Sequence, residues 1–237
     1  MIVYGRNAVA EALRGRRAGT VGEILVSASL AREPWLDGRR LRVSSAEAIE
    51  RACGSREHQG ICAQLSGYPY VSTQELLLAK APLIVALDEV QDPQNLGAIA
   101  RTAECVGATG VVICERRAAA VSAAVCRASA GAVEHLRIAR AGNLADFLLE
   151  ARRAGCWCYG AAIAQTAVDY RQPDYRGGVV IVFGAEGRGL RRRVADCCDQ
   201  LVAMPLRGRI ASLNVNAAAG ALLYEVLHRR EGLDSTP

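Results

Sequence analysis

Three segments carry side chains able to do chemistry, and each begins in an apolar run. The first, LDEVQDPQNLGAIARTAECVGATGVVI (87–113), sets Asn95 at the start of a helical pattern and Arg101 six residues further on. An amide offers a donor and an acceptor in one group, and a guanidinium offers a fork of donors with a permanent charge. Asn95 equally fits a helix N-cap, and Arg101 an exposed helix charge, the ordinary fates of these residue types. The second, VVIVFGAEGRGLRRRV (179–194), is an apolar run, a glycine-rich turn and a basic helix. Glycines let a backbone approach a ligand closely, and a helix start presents free N–H donors. Glu186 stands between Ala185 and Gly187, where a carboxylate adds little to packing; that leaves a functional acid, a cap or a solvated loop acid. The third, LVAMPLRGRIASLNVNAAAGALLYEV (201–226), is a strand, a basic loop with Gly208 and a small-residue helix. Asn214 and Asn216 at its mouth are costly to bury unpaired, so they serve either a ligand or a cap. The glycine turn invites a nucleotide reading, but GAEGRG is not G-x-G-x-x-G. The strand LVAMPL also lacks the acid that would hold a ribose in a dinucleotide site.

These residues need a scaffold that gathers the three strand ends. The runs LIVAL (83–87), VVIC (111–114), CWCYGA (156–161), VVIVF (179–183) and LVAM (201–204) alternate with helical segments near 95–106, 143–154 and 213–228. Continuously apolar strands alternating with helices predict an α/β domain whose parallel sheet is covered on both faces and binds ligands beyond its carboxyl edge. Ahead of it, 5–15 predicts an amphipathic helix, EILVS a strand, 45–53 a helix and GICAQL a strand, together a small α/β module. Gly67, Pro69 and Pro82 interrupt the pattern, so the chain reads as 1–66, a linker or packed connection over 67–82, and 83–237.

With 237 residues, 51% of them apolar and 22% charged, the composition excludes disorder, collagen and coiled coil. No uncharged stretch is apolar enough for a bilayer span, and Arg6 and Glu11 break any secretory leader. The expectation is a cytoplasmic protein with no membrane association. Nine cysteines lie mostly in apolar runs and form no C-x-x-C pair, which predicts small buried thiols and no metal site. Net charge is +5, and residues 1–66 hold 10 Arg against 7 acids, so the N-terminal part is the denser positive surface and suits a polyanion.

Together, in this order and spacing, the three segments resemble the SpoU/TrmH class of the SPOUT superfamily, RNA ribose 2′-O-methyltransferases that use S-adenosylmethionine. The resemblance covers about 83–228. VYGRNAVAEAL and HQGICAQL resemble the substrate-binding domain of the subgroup that methylates a guanosine of large-subunit (23S) ribosomal RNA. The resemblance implies a trefoil-knotted parallel-sheet domain at the C-terminus beside a small N-terminal α/β RNA-binding domain. It also implies a homodimer, with the cofactor bent in the knot and catalytic groups contributed across the interface. It implies catalytic roles for Asn95, Arg101, Glu186 and Asn214. Gly184, Met204 and Leu213 would line the cofactor, largely through backbone groups, with Leu206 and Ser212 beside them. Many relatives carry a serine where this chain has Asn216, whose amide can donate and accept as a hydroxyl can. Arg6, Arg188, Arg207 and Arg209 are the candidate phosphate contacts.

Methyl transfer to a ribose 2′-OH is an in-line displacement on a weakly acidic alcohol. A guanidinium rarely deprotonates in a protein. Arg101 is therefore expected to hold the adjacent phosphate and stabilise oxyanion charge, the proton passing to water or to a network that includes Glu186 and Asn95. With 11 aromatic residues in no stacking pattern, recognition is expected to rest on shape, phosphates and a few flipped nucleotides, gripped by the N-terminal module. The competing readings are a transfer-RNA or resistance-type ribosomal methyltransferase, and a non-catalytic RNA-binding assembly factor. The presence of Arg101, Glu186 and Asn214 speaks against the last.

Overall fold

Short strands and helices with one buried stripe build the N-terminal part of the computed structural model, which describes residues 1–210 and 212–232. In chain order they are β1 (Ile2–Tyr4), α1 (Arg6–Ala12), β2 (Ile24–Val26), β3 (Leu41–Val43), α2 (Ala46–Cys53) and β4 (Ile61–Gln64). The sheet order is β1-β4-β2-β3, antiparallel except for the β2–β3 pair. Val3, Val9, Ile24, Ile49 and Ile61 close its core. The side chain of Ser45 caps α2 by accepting from the Ala48 N–H, and Gly54, at φ 71°, ends it in the left-handed conformation that favours glycine.

Continuing along the chain come α3 (Thr73–Leu77), β5 (Leu83–Asp88), α4 (Pro93–Cys105), β6 (Gly110–Cys114) and α5 (Ala123–Ala128). Then follow β7 (Ile138–Ala141), α6 (Leu144–Arg153), β8 (Trp157–Ala161), β9 (Val168–Asp169), β10 (Val179–Gly184), α7 (Arg192–Asp196), β11 (Gln200–Ala203) and α8 (Val215–Glu231). Seven of the strands form one wholly parallel sheet in the order β7-β6-β5-β10-β8-β11-β9. The central strands β5 and β10 are buried at every residue, as their unbroken apolar runs predict. Their register sets Gly184 opposite Asp88. Among the described residues no helix is long and apolar enough to cross a membrane.

The chain divides into two compact units, Met1–Pro69 with Val121–His135, and Tyr70–Ala120 with Leu136–Pro237. This differs from the expected 1–66, 67–82 and 83–237 in two ways, and residues 233–237 of the last range lie outside the described ones. The stretch 67–82 is divided between the units after Pro69, and it is packed, the second of its two readings. Ser72 and Glu75 form a capping box on α3, Leu76 is fully buried, and Val71 bridges to Ala139. The second difference is that 121–135, which includes α5, belongs to the first unit. A buried ion pair between Arg17 and Glu134 holds it there, the Arg17 Nε donating to Glu134 Oε2 at 2.9 Å. The same guanidinium donates to the Ser66 carbonyl at 3.2 Å, and Tyr68 Oη donates to the Val133 carbonyl at 2.9 Å. Burial works against the Arg17 charge, and Glu134 more than restores it, so the Arg17 pKa is raised.

All nine cysteines are free, and five are buried. Burial pushes the Cys62 thiol up to about 11 and those of Cys126 and Cys198 to about 12, which keeps them protonated and unreactive. Cys105, at the exposed end of α4, departs from the buried pattern.

Candidate active site

The three chemically equipped segments meet at the carboxyl edge of the parallel sheet, after β5, β10 and β11, where an open sheet of this kind leaves room for a ligand. Asp92 caps α4 by accepting from the Gln94 N–H at 2.9 Å, with Pro93 as the first helical residue. The capping role open to Asn95 thus falls to Asp92. The Asn95 amide is free for other work, although the residue is only 6% exposed.

Asn95 Nδ2 donates to Glu186 Oε2 at 3.2 Å, and Asn95 Oδ1 accepts from Asn216 Nδ2 at 2.8 Å. Asn214 caps α8, its Oδ1 accepting from the Asn216 N–H at 2.8 Å. Residues from α4, the glycine turn and α8 are so joined in one polar network, and α8 packs against α4 beneath it. Asn95, Glu186 and Asn214 come together as expected, and Asn216 completes the link. Arg101 does not join them. It is exposed on α4, about 9 Å along the helix from Asn95 at 1.5 Å per residue. It makes no ion pair among the described residues.

The glycine turn has its own construction. Gly189 donates to the Ala185 carbonyl at 2.9 Å, and Gly187 and Gly189 take φ of 77° and 66°. The turn folds so closely over the end of β10 that a Cβ on Gly184 would overlap the Gly189 carbonyl and the Leu190 nitrogen. Gly184→Ala is therefore expected to push the turn outward, at about 1–3 kcal/mol of overpacking. The check is a lowered melting temperature together with weaker S-adenosylmethionine binding by calorimetry; wild-type values for both would remove the close-approach role of Gly184.

Sequence reasoning missed the staple that fixes the far end of this turn. Asp88, fully buried at the end of β5, accepts from the Arg191 N–H at 2.8 Å and from its Nε at 2.7 Å. Arg191 also pairs with Glu89 at 3.1 Å, and Glu89 with Arg117 at 2.9 Å. Hydrogen bonding to Asp88 raises the Arg191 pKa. The available signal was an acid closing an apolar strand, LIVALD, with an arginine following a glycine turn.

The remaining expected residues divide by exposure. Met204 and Leu206 are half-buried after β11, while Ser212 and Leu213 are exposed before α8. Arg188, Arg207 and Arg209 are exposed and make no ion pair among the described residues, as phosphate contacts require. Arg6, in the other unit, is tied to Glu33 at 2.7 Å and so is less available. Among the described residues, chain neighbours aside, nothing lies within 4 Å of where a Cβ would stand on Gly187, Gly189 or Gly208. Leu213 leaves 46% of its surface and Ile210 76% uncovered nearby in the chain. Glycine backbone open to close approach beside uncovered apolar surface leaves room for a ligand that is part nucleoside and part amino acid. Among the described residues no group of three His, Cys, Asp or Glu is placed to hold a metal ion.

Comparison with known proteins agrees with this geometry. The family model described as SpoU rRNA Methylase family matches residues 82–224, and that described as RNA 2'-O ribose methyltransferase substrate binding matches 2–71. A TrmH family tRNA/rRNA methyltransferase of Bacillus subtilis is 42% identical over 73% of this chain and 72% of its own. The 23S rRNA (guanosine-2'-O-)-methyltransferase RlmB of Xanthomonas campestris is 37% identical over 97% of both chains. The crystal structure of an AdoMet-bound rRNA methyltransferase from Sinorhizobium meliloti superposes with a TM-score of 0.78 at 28% identity, covering 99% of this chain and 88% of that one. The glycine turn, the asparagine–glutamate network and these likenesses over nearly the whole length agree, and the chain belongs to the SpoU rRNA methylase family.

Proposed function

We propose that the chain methylates the ribose 2′-OH of a guanosine in large-subunit ribosomal RNA, acting as a cytoplasmic homodimer. Its class follows from its family: it is an RNA ribose 2′-O-methyltransferase that uses S-adenosylmethionine. The observation that carries the choice of target is the likeness to a 23S rRNA (guanosine-2'-O-)-methyltransferase along 97% of both chains, substrate-binding segment included.

Gly184 and the turn after it, with the backbone of Met204, Leu206, Ser212 and Leu213, would hold the cofactor, which supplies an electrophilic methyl group on a sulfonium. Arg188, Arg207 and Arg209 would steer the phosphate chain towards it. The alcohol must lose a proton as its oxygen attacks. The Asn95–Glu186 pair offers a fixed carboxylate as acceptor or as organiser of an acceptor water. Arg101 would clamp a phosphate and stabilise charge on the oxygen. Because Arg101 stands outside the network of its own chain, the proposal takes it from the partner subunit. Support comes from the surface left uncovered on and before α8, where Tyr224 is 49% and Leu213 46% exposed. The knot implied by the family belongs to this proposal too.

The test is transfer of labelled methyl from S-adenosylmethionine to unmodified large-subunit rRNA, with transfer RNA in parallel and nuclease mapping of the product. Label on a guanosine ribose of the large-subunit RNA is the expected result. Label on transfer RNA alone would overturn the target and keep the chemistry, the second reading that the Bacillus relative favours.

A further inference from the structure

Asn216 is a member of the polar network whose side chain caps no helix and ends on an unsatisfied atom. Its backbone is fixed, because Asn214 caps α8 through the Asn216 N–H at 2.8 Å. Its Nδ2 makes one hydrogen bond, to Asn95 Oδ1 at 2.8 Å. Its Oδ1 is buried and has no partner among the described residues. An orphaned buried carbonyl is destabilising, so this amide carries a penalty that alanine at the same place would not.

The benefit lies one residue away. A side-chain amide is nearly symmetric in shape and opposite in polarity at its two ends, so what surrounds it decides which end faces which neighbour. Asn95 turns its nitrogen to Glu186 at 3.2 Å. Glu186 can only accept, so it draws the nitrogen end of Asn95 and leaves the oxygen end for the donor on Asn216; reversed, the Asn95 carbonyl would face the Glu186 carboxylate. We infer that Asn216 is a positioning residue: its amide anchors the oxygen end of Asn95 and so steadies the Glu186 carboxylate in the methyl-transfer site. The relay runs from the cap of α8, through Asn216 and Asn95, to the glycine turn, and it ties the three segments into one arrangement. It rests on the reading that Asn95 and Glu186 serve methyl transfer.

The test compares Asn216→Ala, Asn216→Asp and Asn95→Ala, alone and combined, in steady-state methylation with the cofactor and the RNA each varied in turn. Asn216→Ala removes the orphaned oxygen together with the donor. Its melting temperature should equal or exceed that of the wild type, while kcat falls roughly tenfold and the KM for both substrates holds, the signature of a lost transition-state interaction. Asn216→Asp places an acceptor against an acceptor, turns the Asn95 amide round, and should fall further. In an Asn95→Ala background neither change should add to the loss, since the residue it acts through is gone. A kcat for Asn216→Ala within twofold of wild type would overturn the inference. So would a lower melting temperature with kcat kept, a rise in KM alone, or a loss that multiplies with that of Asn95→Ala. Full activity of Asn95→Ala would instead sink the assignment of the site, and a wild-type enzyme labelling no ribose would sink the methyl-transfer reading itself.

Discussion

Arg101→Ala is expected to lower kcat by roughly 100- to 1000-fold, the usual loss when one donor to a developing oxyanion is removed. Arg101 is exposed on α4 and free of ion pairs among the described residues, so its removal costs the fold little. Melting temperature and cofactor affinity should stay at wild-type values while turnover collapses. Arg101→Lys keeps the charge and loses the planar fork, so it should recover only part of the rate. Mixing Arg101→Ala subunits with Glu186→Gln subunits separates the two possible origins of the group. If the arginine acts across a dimer, mixed dimers contain one site with both groups intact and regain activity that neither variant has alone. Absence of any recovery, in dimers shown to have exchanged subunits, would place Arg101 and Glu186 in the same chain's site. A near-normal rate for Arg101→Lys would rule out a bidentate role.

Glu134→Ala should destabilise the N-terminal unit by about 3–5 kcal/mol, the range for removing one partner of a buried pair. The Arg17 side chain is 1% exposed and that of Glu134 fully buried, so the arginine left behind would be a charge without a counter-ion in a desolvated place. Cys126, 3.4 Å from the guanidinium, has its thiol pushed up to about 12 by burial and cannot take over as the anion. Urea unfolding with separate probes for the two units checks this, with an early transition expected in the N-terminal unit. Arg17→Met with Glu134→Leu removes both charges and should be far milder than either loss alone. Equal stability of Glu134→Ala and wild type would mean that solvent reaches the pair.

Much of the parallel sheet was legible because its central strands are long and apolar throughout; LIVAL and VVIVF admit few other readings. The strand β7 escaped because it spans only Ile138–Ala141 and carries Arg140, and β3 because its three residues are broken by Arg42, while β1 is a three-residue run leading straight into α1. In the candidate site, residue types and spacing pointed to Asn95, Glu186 and Asn214, but not to who bonds to whom. Asn216 and Asn95 lie 121 residues apart in the chain, and only the folded sheet joins them. Asp88 and Arg191 were overlooked for a related reason. A buried acid at a strand end looks, in sequence, like the polar residue that begins any loop.

The placement of 121–135 decides when the N-terminal unit can be finished. Arg17 and Glu134 are 117 residues apart, and the chain has already passed through β5, α4 and β6 before Glu134 is made. As the protein leaves the ribosome, residues 1–69 therefore emerge with a charged arginine and an apolar face waiting for a strap still to be synthesised. N-terminal-first folding, the usual course for chains of several units, is not open to this one. Its first unit closes only once Glu134 has been made, and a fragment cut at residue 66 would leave both pieces unsealed.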